Sequence, residues 1–296
     1  MSQIKSTSKF GKLQIDRMLI NVKAFCKLDM FLNYIMWSLQ HPDIENIMKS
    51  LLIEDEDDEK NIILSKTDLT KIIILNKKKP PGIDLCGLME NLTLKARNIS
   101  ALSCDKSLLT DIDNVLKNTY KSERSNEFYI DKLAESILRM SGFDSEPFFL
   151  ARSKRMKLTI DNRSFSSNAD MHIIYKPTMK IVLVVENKHI SSTTYKAGEL
   201  QLICHILASF QENDKIKLEE NPKQIWGLRI HSHKIYFYYM HYDDVYLNNL
   251  KTGRFNKSIN IARFPSASND MSVRYRRDRF NLFKILSFIK DSINRP

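Results

Sequence analysis

Apolar residues recur at three- and four-residue steps through Leu13, Ile15, Met18, Leu19, Val22, Phe25 and Cys26, the stripe of a helix that buries one face. The spacing continues over residues 31–39, and His41-Pro42-Asp43 predicts a break before another helix reaching about Ile53. The unbroken acidic run at 54–59 predicts an exposed loop, and Lys77-Lys78-Lys79-Pro80-Pro81-Gly82 closes the apolar element at 72–75 with a turn. Residues 1–118 are thus expected to form a helical accessory region.

The pattern changes after Ser125. Glu127, Ile130, Leu133, Ala134, Ile137 and Leu138 keep helical spacing up to Gly142, a residue suited to closing a helix. From Phe148 short apolar runs take over, predicting strands at 148–150, 156–160, 170–175 and 181–186. A helix is expected over 197–210, then strands over 225–230 and 235–240 joined by His231-Ser232-His233-Lys234. A last amphipathic helix covers 279–289, with Phe280, Phe283, Leu286 and Ile289 inward. Helix, three or four strands, helix, two strands predicts an α/β domain over 119–296 with a mixed sheet flanked by helices.

Composition narrows the class. With 296 residues, 43% of them hydrophobic, and only 7 Gly and 8 Pro, the chain can bury a proper core, which excludes a disordered or fibrous polypeptide. Apolar runs such as 181–185 are too short to cross a bilayer, so no membrane partner is expected. Cys26, Cys86, Cys104 and Cys204 lie far apart with no C-x-x-C pair, which argues against a disulfide framework or a zinc site. Reduced thiols and the lack of a secretory signal lead to an intracellular expectation, nuclear or cytoplasmic. Lys77 to Lys79 are a minimal version of a nuclear-import signal, and the acid-poor start with Lys5, Lys9, Lys12 and Arg17 also suits an organellar leader.

The formal net charge is +11, and the last 46 residues carry 11 basic against three acidic side chains. The densest piece is Arg274-Tyr275-Arg276-Arg277-Asp278-Arg279. Guanidinium groups grip phosphate oxygens in a bidentate fork, so this piece suits a polyanionic partner, a solvated face being the other reading.

The most informative segment is 170–188. Two apolar runs flank Lys176-Pro177-Thr178-Met179-Lys180 and predict a β-hairpin. With its turn centred on Thr178, Ile174 faces Val182, His172 faces Val184 and Asp170 faces Glu186. Alternation places Glu186 and Lys188 on one face and Asn187 on the other. Two opposed carboxylates repel unless something compensates, and a hard divalent cation, Mg²⁺ or Mn²⁺, suits oxygen ligands. Lys188 beside it could orient or help deprotonate an attacking water and offset charge on a phosphate.

Asp170, then fifteen residues, then Glu186-Asn187-Lys188 at the end of an apolar strand resembles the PD-(D/E)xK nuclease superfamily, over residues 120–265. Ala169 stands where the family's name has proline. The resemblance implies a restriction-endonuclease-like fold and metal-dependent hydrolysis of phosphodiester bonds in nucleic acid, DNA in preference to RNA, by a Mg²⁺-activated water. It implies Asp170 and Glu186 as metal ligands, Lys188 as the catalytic lysine, and a further metal-binding glutamate from the preceding helix. Glu127 matches that glutamate best; Glu135 is the fallback, about 80° further round.

Gln201 and His205, four apart on the next helix, stand where many members carry a glutamine and a tyrosine near the site, in reach of phosphate or water; a partnered, buried histidine is the other reading. The segments 224–229 and 234–239 are similar to paired strands in members found among fungal and Crinkler-type proteins. Arg274, Arg276, Arg277 and Arg279 would bind the nucleic-acid backbone without reading sequence, extended by Arg152, Lys154 and Arg155. Cutting both strands with one site per chain would call for a homodimer. The rival expectation is a catalytically silent module on the same scaffold that binds nucleic acid, or a protein partner through the helical N-terminal region.

Overall fold

A computed structural model describes residues 5–6, 20–40, 105–118, 125–189, 195–216, 223–242, 244–256, 258–266 and 269–293. In chain order these form β1 (Lys5–Ser6), β2 (Ile20–Ala24), α1 (Leu28–Gln40), α2 (Lys106–Asn118), α3 (Ser125–Met140), β3 (Phe148–Arg152), β4 (Arg155–Ile160) and β5 (Arg163–Asn168). There follow β6 (Met171–Tyr175), β7 (Lys180–Lys188), α4 (Tyr195–Asn213), β8 (Gln224–His231), β9 (Lys234–His241), α5 (Asp244–Thr252), β10 (Ile259–Phe264), β11 (Met271–Ser272) and α6 (Arg276–Ile293). The class is mixed α/β, as expected. The large sheet runs β2-β10-β9-β8-β7-β6-β3, with β11 on β9. The pairs β7–β8 and β10–β2 are parallel and the others antiparallel.

The near-continuous apolar run of β7 is buried along almost its whole length because helices cover both faces of the sheet. On one face Phe31 and Ile35 of α1, Leu133 and Ile137 of α3, and Phe283 and Leu286 of α6 close over Leu183, Val185 and Trp226. On the other face α4 packs against Ile181 and Val184. A small second sheet, β1-β5-β4, packs on the far side of α4 through Met156, Leu158 and Ile160. Sandwiched this way, α4 is apolar nearly all round from Leu202 to Phe210. Gly142 ends α3 as expected: at φ 73° it lets its own N–H reach Arg139 O and that of Phe143 reach Leu138 O.

Two amide side chains at the end of α4 lock it to both sheets. The Gln211 side chain exchanges hydrogen bonds with the Thr159 backbone (2.7 and 2.8 Å), and that of Asn213 with the Ile181 backbone (2.9 and 2.8 Å). Ile181 precedes the stretch of β7 that pairs with β8, which begins at Leu183, so Asn213 takes the place of a neighbouring strand. An Asn213→Ala variant leaves a buried N–H and C=O without partners and is expected to lose about 2–4 kcal/mol. A lower urea midpoint at unchanged slope checks it.

The hairpin register agrees with expectation at its open end, where His172 lies opposite Val184 and Met171 opposite Val185. Nearer the turn a bulge between Ile173 and Ile174 moves Ile174 onto Ile181 in place of Val182, and Tyr175 onto Lys180. Ile20–Ala24, expected within a helix, is instead an edge strand. Its Ile-Asn-Val-Lys-Ala alternation fits a strand, and the pairing with β10 decides the matter. Of the inward set on α6, Phe280 is only half-buried, whereas Phe283, Leu286 and Ile289 lie in the core. Lys5–Ser6, also expected in a helical region, instead pairs with β5 in the small sheet, while Phe31 of α1 and Ile112 and Val115 of α2 share the main core with residues from 130 onward. The expectations for 41–53, 54–59, 72–75 and 77–82, and for Cys86 and Cys104, fall outside the described residues; Cys204 is buried and unpaired. No helix of the described residues is long and apolar enough to cross a membrane.

Candidate functional site

Asp170 occupies the corner where the chain leaves β5 in the small sheet for β6 in the large one. The matching corner between β3 and β4 holds it from the other side, with Ser153 N–H donating to Asp170 O (3.1 Å). Continuing the β6–β7 register brings Asp170 level with Glu186. Its Oδ2 accepts the Asn187 backbone N–H at 2.6 Å. Burial pushes the Asp170 carboxyl up to about 7, and the negative charge of Glu186 adds to the push.

Glu186 is 0% exposed and is held at both oxygens, with Lys188 Nζ 2.7 Å from Oε1 and His205 Nε2 3.2 Å from Oε2. Burial pushes its carboxyl upward, but His205 and Lys188 outweigh burial and hold it below the ordinary carboxylate range. Lys188 keeps 14% of its side chain in contact with solvent. Burial disfavours its charge, yet Glu186 and Asp170 outweigh that and hold its ammonium above the ordinary value. Both carboxylates thus favour the charged form of Lys188.

Glu127 lies exposed in the first turn of α3, and its charge acts on Lys188. One turn on, Asp131 accepts the Asn187 side-chain N–H at 2.8 Å, and its charge adds to the upward push on Asp170. Asn187 thus points to α3, away from Glu186 and Lys188, as strand alternation requires. Glu135 is turned elsewhere, into ion pairs with Arg139 (2.8 Å) and Arg152. That pair holds Arg152 at α3. On α4, Gln201 is half-buried, while His205 is 1% exposed and meets Glu186 and Ser167 rather than solvent. Arg229, in register with Glu186 on β8, is fully buried beneath α4. A Cβ on Gly198 would come 2.8 Å from its Nη2, so glycine permits that approach.

Two residues that the sequence reading passed over stand out. Asp131 carries a legible signal, since Glu127, Asp131 and Glu135 form one i, i+4, i+8 row. His172 carries none. It is buried on β6 with neither ring nitrogen hydrogen-bonded, and burial, then His205 and Lys154, push its imidazole down to about 3.

The basic segment adjoins this region through the β8–β9 turn. Ser232 N–H donates to Lys188 O (2.8 Å), Val273 N–H to His233 O (3.0 Å), and His233 Nδ1 lies 2.9 Å from Ser272 Oγ. Arg274, Arg276 and Arg277 are exposed there, with Tyr275 61% exposed between them. Arg279 is turned inward: its Nη1 donates to Val273 O (2.7 Å) and Arg274 O (3.0 Å), bracing the turn before α6.

Chemically the arrangement offers two hard carboxylates, one held ammonium and a basic rim. Among the described residues no three His, Cys, Asp or Glu side chains gather as a ready-made metal cage. No protein-family model matches the chain, and no curated protein matches it in sequence.

Proposed function

We propose that the protein is a metal-dependent nuclease on a restriction-endonuclease-like scaffold, hydrolysing phosphodiester bonds of nucleic acid, DNA in preference to RNA. The observation that carries this reading is the grouping at the hairpin mouth. The half-buried Asp170 lies level with the fully buried Glu186 in the β6–β7 register, and Lys188 Nζ sits 2.7 Å from Glu186 Oε1. A protein keeps two such carboxylates together at a cost in stability, which a cation between them would offset.

Mg²⁺ or Mn²⁺ fits the donor set, because Mg²⁺ commonly takes one or two carboxylates and completes its shell with water and phosphate oxygens. Asp170 and Glu186 would hold it. When bound, it supplies a Lewis acid for a phosphoryl oxygen and a water of lowered pKa. The rest is done by this chain's own groups. Lys188, whose side chain keeps 14% of its surface in solvent, orients the attacking water and balances negative charge gathering on the phosphate. Asn187 ties β7 to Asp170 through its backbone and to Asp131 through its side chain, fixing the mouth against α3. Glu127, exposed in the first turn of α3, acts on Lys188 only through its charge, which would add to the negative charge available for the cation. Arg274, Arg276 and Arg277 hold the nucleic-acid backbone beside the site without reading bases.

A second reading has one observation in its favour: Glu186 already has both oxygens engaged, as in a silent scaffold that only binds nucleic acid. Cleavage assays separate the two. The full chain is incubated with supercoiled plasmid, single-stranded DNA or RNA, with Mg²⁺, Mn²⁺ or EDTA, beside Asp170→Ala and Lys188→Ala. Cutting that needs the metal and is lost in both variants supports the nuclease. Binding without cutting supports the silent scaffold, and equal cutting by all three proteins marks a contaminant.

The basic rim has its own check. Replacing Arg276 and Arg277 together by alanine is expected to weaken DNA binding and to flatten log K against log salt by about 1.8, two phosphate contacts at about 0.9 each. An unchanged slope would make the rim an ordinary solvated face.

A further inference from the structure

His205 joins three layers of the fold at one buried point. Its Nε2 is 3.2 Å from Glu186 Oε2 on β7, and its Nδ1 is 2.6 Å from the Ser167 hydroxyl on β5. Ser167 and Glu186 are 0% exposed and His205 is 1% exposed. One turn along α4, Ser209 donates its hydroxyl to His205 O at 2.9 Å, anchoring the backbone that carries the ring. A carboxylate only accepts hydrogen bonds, so His205 Nε2 carries its proton, and the Ser167 hydroxyl takes the complementary role at Nδ1. The ring is hydrogen-bonded at Nδ1, while at Nε2 it meets Glu186 as a charge contact at 3.2 Å without the alignment of a hydrogen bond.

We propose that His205, braced by Ser167, is the positioning residue for Glu186. It anchors Oε2 so that Oε1 stays turned to Lys188 at the hairpin mouth. The inference rests on reading Asp170, Glu186 and Lys188 as the hydrolytic site. It differs from a phosphate contact by His205, because a ring with 1% exposure does not reach a substrate in solvent. Without the Nε2–H, a buried carboxylate loses one of its two partners and is free to rotate fully onto Lys188. The lysine would then be held by two oxygens instead of one. Ser167 enters as the brace on the ring: it touches neither Glu186 nor Lys188 in this arrangement and acts only through His205.

The test compares the full-length protein with His205→Leu, His205→Gln, Ser167→Ala and the Ser167→Ala/His205→Leu double variant. Cleavage is expressed per folded molecule. His205→Leu is expected to lower kcat about 10- to 100-fold with KM little changed, the usual size for removing a residue that orients a ligand or catalytic group. His205→Gln, which restores a side-chain N–H, should recover part of that loss. Ser167→Ala should cost less and add nothing in the His205→Leu background. Proton NMR of the metal-free protein gives a second readout, a slowly exchanging imidazole N–H that is absent in His205→Gln and moves in Ser167→Ala.

Wild-type kcat in His205→Leu, a loss confined to KM, or independent addition of the Ser167 effect would overturn the proposal. If the wild-type protein cuts nothing with any metal, the nuclease reading fails separately and the NMR signal decides the relay. Its presence, with a shift in Glu186→Gln, upholds the contact, and its absence removes it.

Discussion

Replacing Asp170 by Asn is expected to stabilise the metal-free protein while abolishing its cleavage. The carboxyl is raised from 3.8 to about 7 by burial and by Glu186, so its ionised form opposes folding at neutral pH. That shift corresponds to about 4 kcal/mol, and partial exposure to solvent reduces it to roughly 2 kcal/mol. The native state binds this proton more tightly than the unfolded chain. The penalty is therefore absent below the unfolded value, grows as pH rises towards 7 and is complete above it. Asparagine keeps an oxygen for the Asn187 N–H and carries no charge. Urea unfolding at pH 8 should show a higher midpoint for Asp170→Asn, and the gain should vanish near pH 4. A midpoint below wild type at pH 8 would contradict it. Activity should fall on the order of 10³-fold, the scale of losing several kcal/mol of charge stabilisation.

Replacing Lys188 by Met is expected to do the opposite to stability. Lys188 is the cation that Glu186 contacts at 2.7 Å and that also draws on Asp170. Removing one partner of a buried pair leaves uncompensated charge and costs about 3–5 kcal/mol. Uptake of a proton by Asp170 limits the loss to about 3 kcal/mol here. Millimolar Mn²⁺ should then raise the melting temperature of Lys188→Met more than that of the wild type, since a cation that binds only the native state restores the missing charge. The double variant Asp170→Asn/Lys188→Met should regain much of the lost stability, because the two changes act on one charge cluster. Indifference of every one of these proteins to Mn²⁺ would contradict the account.

What could be seen in the sequence was whatever depends on local pattern. The hairpin of β6 and β7 follows from two apolar runs around a Pro-containing turn; centring that turn on Thr178 gives the open-end register, which the bulge restores after pairs nearer the turn have slipped by one residue. The bulge between Ile173 and Ile174 leaves no such mark, because one extra residue in a strand buried on both faces changes no polarity. β2 carries two patterns at once, since Leu19, Val22 and Cys26 keep helical steps while Ile20, Val22 and Ala24 alternate, and the partner that decides, β10, lies over 230 residues away. The hairpin of β4 and β5 had a signal in Asp161-Asn162, both at positive φ (51° and 57°), the conformation of a tight turn.

The candidate site divides the same way. Asp170, Glu186 and Lys188 are neighbours in a hairpin and therefore legible. The ion pairs that turn Glu135 towards Arg152, and the carbonyls that take Arg279, depend on tertiary approach and are not. His205 could be placed on a helical face beside Gln201, but what that face meets is fixed only when α4 packs between two sheets.

Crystals soaked in Mn²⁺ and examined by anomalous scattering address the central claim most directly. The expected result is a single strong peak within coordination distance of both the Asp170 and Glu186 carboxylates, lost in Asp170→Asn, with Lys188 Nζ displaced from Glu186 Oε1. An empty hairpin mouth at saturating Mn²⁺, with the Glu186–Lys188 pair intact, would contradict it.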